Sequence, residues 1–334
     1  GTDTAYAGAN KYLFYLLGTS KAFMLSGMLL AYAVAGNLDF QYGGIFPEGS
    51  DSTVLVIIFI LLVAGVGKAA IMPFHTWLPA AMVAPTPVSA LLHAVAVVKV
   101  GVFSIVRVIT GIFGVQLLSD FNLGVVVMSI ASVTIIVGSC IALSQDELKR
   151  RLAFSTISQL SYIVFGVALL TPQGLLGGII HIAMHAFGKI TLFFCAGSIY
   201  VATGKKYISQ MSGLGRKMPF TFAALFIGAL GVIGLPPSGG FYSKWNLILG
   251  TLEAQQTIFM LVLLLSSFLN AFYFLPIVYK GFFGESSDDN QAPGKISEAN
   301  LCCVIPLLIT AFISIVLFFY PTLFIKLINT GLGL

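Results

Sequence analysis

The chain has 334 residues, 58% of them hydrophobic and only 9% charged, with a formal net charge of +5. A soluble domain carries about 25% charged residues, so this composition excludes an ordinary water-soluble fold and marks an all-α polytopic membrane protein. The positive balance is then a matter of loop topology; the bilayer is the expected surrounding, and no nucleic-acid partner is expected.

Runs of about 20 apolar residues cross a bilayer, and in chain order they predict nine spans: 11–35, 53–82, 87–110, 122–143, 152–171, 174–202, 218–252, 256–283 and 301–329. The opening "GTDTAYAGANKYLF" has neither an initiator Met nor a signal peptide, which suggests an internal portion of a longer chain. The second span is too long for one straight helix and is interrupted at "MPFHTWLP" (72–79). "PTP" (85–87) then starts the third span, with proline pre-set for a first helical turn. The seventh span is also too long, and its interruption is "GLPPSGGF" (234–241). Proline removes a donor and glycine loosens the turn, so both spans should contain unwound backbone. Such paired breaks are the best sequence pointer to an inverted-repeat transporter and its site. Cys140, Cys195, Cys302 and Cys303 all lie in apolar segments without C-x-x-C spacing, and read as buried structural thiols rather than a metal or disulfide framework.

The loops give an orientation. Those at 144–151 and 203–217 hold Lys149, Arg150, Arg151, Lys205, Lys206, Arg216 and Lys217, whereas those at 36–52, 111–121, 171–173 and 253–255 hold no Lys or Arg. The basic loops should be cytoplasmic, with the N-terminal end inside and the C-terminal end outside. The acidic loop 284–300 falls inside by parity, against its charge.

Far from the span ends lie Lys68, His93, Lys99, His181, His185, Lys189 and Lys244, and no Asp or Glu lies well inside any span. Each buried charge costs roughly 2.5–3.5 kcal/mol on insertion scales, so each is a candidate functional group. Burial disfavours the ammonium form, so such amines can trade protons near neutral pH. A bare Na⁺ site is poorly supplied, because hard cations want oxygen ligands. In "GGIIHIAMHAFGKITLFFCAG" (177–197), His181, His185 and Lys189 sit at i, i+4 and i+8 and share nearly one helix face. On the opposite side of that helix, Ile182 and Phe193 should tolerate Leu, and removing His185 should strand no charge. Lys244 follows the second break, next to a helix N-terminus whose positive partial charge disfavours an ammonium.

Each group also has a structural reading. Lys99 can pack its stem or snorkel, His75 can satisfy carbonyls of the broken helix, and His181 can be a hydrogen-bonded core histidine. Lys21 is near enough to a span end to snorkel. Bis-histidine haem ligation is disfavoured because i, i+4 on one helix cannot reach both haem faces. Zinc would need a third ligand that no nearby acid supplies.

"GKAAIMPFHTWLPAAMVAPTPVSALLHAVAVVKVGVFSIVRV" (67–108), "SQDELKRRLAFSTISQLSYIVFG", "HIAMHAFGKITLFFCAG" and "GVIGLPPSGGFYSKW" together resemble the antiporter-like proton-translocating membrane subunits. These occur in Mrp-type cation/proton antiporters, respiratory complex I and membrane-bound hydrogenases, and the wording from 82 to 108 is most similar to the D subunit of the Mrp type. The resemblance covers nearly the whole chain and implies two inverted five-helix repeats with broken helices. On that pattern 1–110 is the C-terminal part of the first repeat, 122–283 the second, and 301–334 a C-terminal transmembrane helix. Lys68 matches the broken-helix lysine of the first half-channel and His93 the bridging histidine. His181, His185 and Lys189 match the central relay, Lys244 matches the terminal lysine, and Lys99 and His75 are further candidates. Family members carry about fourteen helices and a glutamate on the fifth that pairs with the first lysine. This chain starts at the sixth, so the earlier helices belong either to a longer form of it or to another polypeptide.

The expected function is proton translocation within a multi-subunit monovalent cation/proton antiporter of a prokaryotic cytoplasmic membrane. Its expected partners are other membrane subunits, with protons, and Na⁺ as candidate co-ion, for cargo. The alternatives are the same module in a complex I-type NADH:quinone oxidoreductase or membrane-bound hydrogenase, or a structural subunit that does not transport. No Rossmann glycine fingerprint or Fe–S cysteine set is present, so no cofactor is expected on this chain and any redox chemistry belongs to other subunits.

Overall fold

The computed structural model describes residues 2–285 and 296–332. Among them all regular elements are helices, apart from one isolated bridge between Glu147 and Tyr207. Helix α1 (Asp3–Ala35) carries a π turn at Ser20–Met24. Helix α2 (Ser52–Gly65) starts at Asp51, whose carboxylate accepts from the Thr53 and Val54 amides at 2.7 and 3.3 Å. Such a cap satisfies donors that a first helical turn leaves free.

The first break begins earlier than its prolines, at Val66, and runs through a 3₁₀ turn (Gly67–Ala69) to the short α3 (Trp77–Ala80). Its free groups find protein partners. The Trp77 indole donates to the Gly67 carbonyl at 3.1 Å, and the Met72 amide donates to Thr134 Oγ1 at 3.3 Å. Unwound backbone persists at membrane depth only where such bonds re-satisfy it.

The third expected span is itself divided, into α4 (Thr86–Ala94) and α5 (Val97–Arg107), followed by a π segment at Val108–Phe113 and α6 (Val115–Asp120). No Pro or Gly marks this break between 88 and 100. The Val95 and Ala96 amides both donate to the Leu91 carbonyl, at 3.2 and 2.9 Å, which closes one turn before the helix restarts two residues ahead of Lys99. β-Branched Val95, Val97 and Val98 are weak helix formers there.

Three long helices follow: α7 (Leu123–Ser144), α8 (Leu148–Ala168) and α9 (Pro172–Thr203). After the short α10 (Leu214–Lys217), α11 (Pro219–Ile233) and α12 (Gly239–Glu253) form the second broken span, interrupted where expected. Then come α13 (Thr257–Phe283), α14 (Leu301–Phe319) and α15 (Thr322–Leu332). The ninth expected span, 301–329, is therefore two helices. They part at Tyr320, before Pro321, which has no amide with which to continue the ladder.

Among the described residues, six helical stretches are long and apolar enough to cross a membrane: Asp3–Ala35, Thr86–Phe113, Leu123–Ser144, Pro172–Thr203, Thr257–Phe283 and Leu301–Phe319. The remaining expected spans are the two with central breaks and α8. Helix α9 runs through the centre, packed on α4, α8, α11, α12 and α14. Glycine sets the spacing at two places. A Cβ on Gly178 would sit 2.9 Å from the Ile163 carbonyl of α8, and one on Gly240 would run into the Gly231 carbonyl. Small residues admit this close backbone approach between membrane helices.

The cysteine expectation needs correcting. Only Cys195 is buried; Cys140 and Cys302 are exposed and Cys303 is half-buried. Apolar segments in a membrane protein also face outward, so an apolar neighbourhood did not imply an interior position.

The two basic loops meet at one end of the bundle. The Leu148 amide donates to the Lys206 carbonyl at 3.1 Å, the Ile208 amide to the Asp146 carbonyl at 2.8 Å, and the Ser209 hydroxyl to Asp146 Oδ2 at 2.7 Å. Most of the acidic loop 284–300, from 286 to 295, lies outside the described residues. With Cys140, Cys302 and Cys303 changed to Ser, Lys205→Cys and Arg216→Cys should both react with an impermeant maleimide only from the cytoplasmic side. Reaction from the outer side would invert the topology.

Candidate functional site

His93, His181 and Lys189 are 0% exposed, His185 1%, Lys244 5% and Lys99 6%. Six of the candidate groups therefore lie inside the bundle. Lys99 Nζ is 2.8 Å from His185 Nδ1, joining α5 to α9. One turn away, the His185 and His181 rings stack with centroids 5.7 Å apart and planes at 24°. His181 stacks in turn on Tyr162 of α8, also at 5.7 Å. The Lys244 ammonium lies 4.6 Å from the centre of the same Tyr162 ring. A continuous run of side chains thus connects Lys99 to Lys244 through four helices, α5, α9, α8 and α12.

The hydrogen bonds around His181 suit a group that changes protonation state. Nε2 is 3.1 Å from Gln159 Oε1 and Nδ1 is 2.7 Å from Ser243 Oγ, while Ser243 Oγ also reaches the Gly240 carbonyl at 3.0 Å. When the serine proton points at Gly240, His181 Nδ1–H donates to Oγ; when it turns to the ring, Nδ1 accepts. Neutral imidazole and imidazolium fit the same heavy-atom frame. His185 Nε2 and Gln159 Nε2 are buried and have no hydrogen-bond partner among the described residues. Buried polar groups of this kind are ordinarily satisfied by water.

Lys244 sits differently from its expected position beside a positive helix end. Its stem folds back across Gly234, and Nζ donates to the Ile233 carbonyl at 3.0 Å and to Ser267 Oγ at 3.0 Å. Ile233 is the last residue of α11, so the amine meets the negative, carbonyl end of the first half-helix. Asn270 Nδ2 takes the neighbouring Val232 carbonyl at 3.4 Å. The break, which ends α11 at Gly234 with φ +87°, supplies the free carbonyls.

Lys189 donates to the Leu152 carbonyl at 3.1 Å and lies 5.4 Å from the Phe274 ring. Beside Phe274, the Tyr273 hydroxyl bonds Ser155 Oγ at 3.0 Å and Asn270 Oδ1. His93 has neither ring nitrogen partnered among the described residues, and its ring packs 5.1 Å from Phe193. Phe193 is therefore no indifferent position on the back of α9; Ile182, half-buried, keeps that standing.

Lys189 and His93 lie inside the bundle without joining the run, and two further candidates lie outside the interior. The Lys68 side chain is exposed and has no hydrogen-bond or ring partner among the described residues. Its backbone lies against α5 at Gly101, two residues past Lys99, where a Cβ would strike it. His75 is half-buried in the first break with Nδ1 unpartnered, and the Gly67 carbonyl there is taken by Trp77.

Reading only the ionisable groups misses the uncharged half of the site. The stretch "STISQLSY" (155–162) puts six polar residues among eight, and Ser155, Thr156, Ser158, Gln159, Ser161 and Tyr162 are all 0% exposed. So dense a polar run in a membrane helix was the available signal. It is tolerated because α8 is enclosed by other helices from 155 to 168.

Residues 2–270 match the family described as "NADH:quinone oxidoreductase/Mrp antiporter, TM". The chain is 37% identical over 287 residues to NADH-quinone oxidoreductase subunit N of Desulforudis audaxviator, covering 84% of this chain and 56% of that protein. It is 36% identical over 297 residues to subunit L of Campylobacter jejuni, covering 87% and 48%. The chain spans about half the length of these curated relatives. Its fold superposes on a chain of the Mrp complex from Dietzia sp. DQ12-45-1b with TM-score 0.88 and 25% identity, covering 100% of this chain and 68% of that one. A chain of the membrane-bound sulfane sulfur reductase, an archaeal respiratory membrane complex, gives TM-score 0.84 and 26% identity, covering 99% and 66%. With its broken spans and intramembrane lysines and histidines, this integral membrane protein belongs to the antiporter-like subunit family shared by NADH:quinone oxidoreductases and Mrp antiporters.

Proposed function

We propose that the chain moves protons as one subunit of a multi-subunit monovalent cation/proton antiporter in a prokaryotic cytoplasmic membrane. The observation that carries this reading is the 2.8 Å amine–imidazole contact of Lys99 and His185, continued by stacking through His181 and Tyr162 to Lys244. A proton leaving the Lys99 ammonium passes to His185 Nδ1 directly. Between His185 and His181 the rings stack without a hydrogen bond, so a water held by His185 Nε2 and Gln159 Nε2 completes the step. His181 then accepts the proton at Nδ1, since its Nε2–H already donates to Gln159 Oε1, as the Ser243 hydroxyl proton turns to the Gly240 carbonyl. Among the described residues no hydrogen bond joins His181 to Lys244, so water carries the proton past Tyr162 to Lys244, the terminal store. Lys189 and His93 form a branch toward the basic-loop end. Lys68, exposed at the first break, serves a separate half-channel. No described carboxylate enters the run, which favours H⁺ over Na⁺ as its cargo.

The 36–37% identity to oxidoreductase subunits favours a second reading, the same relay driven by a redox complex. Everted vesicles carrying the complete complex separate the two. Collapse of a preformed pH gradient by a Na⁺ pulse is expected for the antiporter. Acidification on adding NADH, without a Na⁺ response, would transfer the chain to the redox reading. No response to either, in vesicles where the complex is assembled, would leave a structural subunit and overturn the transport proposal.

A further inference from the structure

Away from the relay, a groove of about 710 Å³ opens at the end of the bundle that carries the basic loops. That volume lies in the range of small-molecule and cofactor sites. Its floor and walls come from the 82–87 connection, the C-terminal half of α9 and the first turns of α14, with Val83, Pro87, Phe194, Val201, Cys303 and Pro306 among them. Its rim holds Lys149, Lys205 and Lys206 against the single carboxylate of Glu147. The Lys149 ammonium donates to the Met82 and Ala84 carbonyls at 2.9 and 2.6 Å, which fixes it in place and leaves its third N–H. Lys206 Nζ lies 5.1 Å over the Tyr200 ring, which also lines the groove. An aromatic ring beneath a lysine is the usual furnishing of a membrane–water boundary.

We propose that this groove holds an anionic phospholipid, its phosphate at the three lysines and an acyl chain along the Val201–Pro306 wall. Charge complementarity selects the headgroup: three ammonium groups face one carboxylate, and each basic group near a membrane surface favours an anionic lipid. The apolar walls select a lipid over a free anion, which would leave Phe194, Val201 and Cys303 uncovered. Val201 is 65% exposed, so the wall is open along the chain's outer face.

The test is native mass spectrometry of the full chain released from nanodiscs containing equal phosphatidylglycerol and phosphatidylethanolamine. The wild-type chain should retain phosphatidylglycerol over phosphatidylethanolamine by at least about fivefold. The double variant Lys205→Gln/Lys206→Gln should lose that preference. Val201→Glu, near the end of α9, should lose it independently by placing a carboxylate on the wall. Equal retention of the two lipids by the wild type, or an unchanged preference in both variants, overturns the proposal. So does full displacement by millimolar inorganic phosphate, which would mark a bare anion site. Protection of the groove by a co-purifying polypeptide, with no lipid retained, would mark a subunit interface and overturn it equally.

Discussion

Lys244→Met should lower proton flux by about 100-fold, the scale on which a positioned acid–base group contributes, while the chain still inserts and assembles. The stem that packs across Gly234 is kept in Met, and only the ammonium is lost. The Ile233 carbonyl and Ser267 hydroxyl then lose a donor. This costs about 1–3 kcal/mol if no water replaces it. Lys244→Arg separates proton release from charge: the guanidinium can satisfy the same acceptors but cannot give up a proton, so flux should fall equally. The measurement is proton flux in reconstituted complexes at matched expression. Flux within twofold of wild type for Met would show that Lys244 anchors the helix break and carries no proton.

The broken spans were legible because Pro and Gly announce them, as "GLPPSGGF" does in the second break. The break between α4 and α5 was not, because Val95 and Ala96 are ordinary helix residues and the turn is closed by a shared Leu91 carbonyl. That break sets the position of Lys99. Counted from His93 along one continuous helix, Lys99 would fall on another face, and only the restarted α5 aims it at His185. The shared face of His181, His185 and Lys189 was legible from spacing alone, since a helix repeats its direction every four residues. What spacing could not give was the partner of each group, which comes from other helices: Ser243 and Gln159 for His181, and Leu152 for Lys189. Electrostatics misled at Lys244 for a related reason. A side chain four bonds long escapes the field at its own backbone, and this one ends at the carbonyl pole of the preceding half-helix.

Lys99 and His185 should behave as one unit in a double-variant cycle. Lys99→Met and His185→Ala should each lower proton flux by about 100-fold. The pair together should be no worse than either alone, because groups acting in series are strongly non-additive. Stability should show the opposite pattern. His185→Ala does strand a group after all: it leaves the Lys99 amine, 6% exposed, without its 2.8 Å partner. An unpaired buried donor costs about 1–3 kcal/mol. Adding Lys99→Met to His185→Ala removes that orphan, so the double variant should melt higher than His185→Ala alone. Ile182→Leu, on the same helix but outside the run, should leave flux near normal and cost less than about 1.5 kcal/mol as a volume-conserving change. Additive flux losses, with no recovery of thermal stability in the double variant, would mean that the amine and imidazole work separately. The proton path would then have to bypass the contact between them.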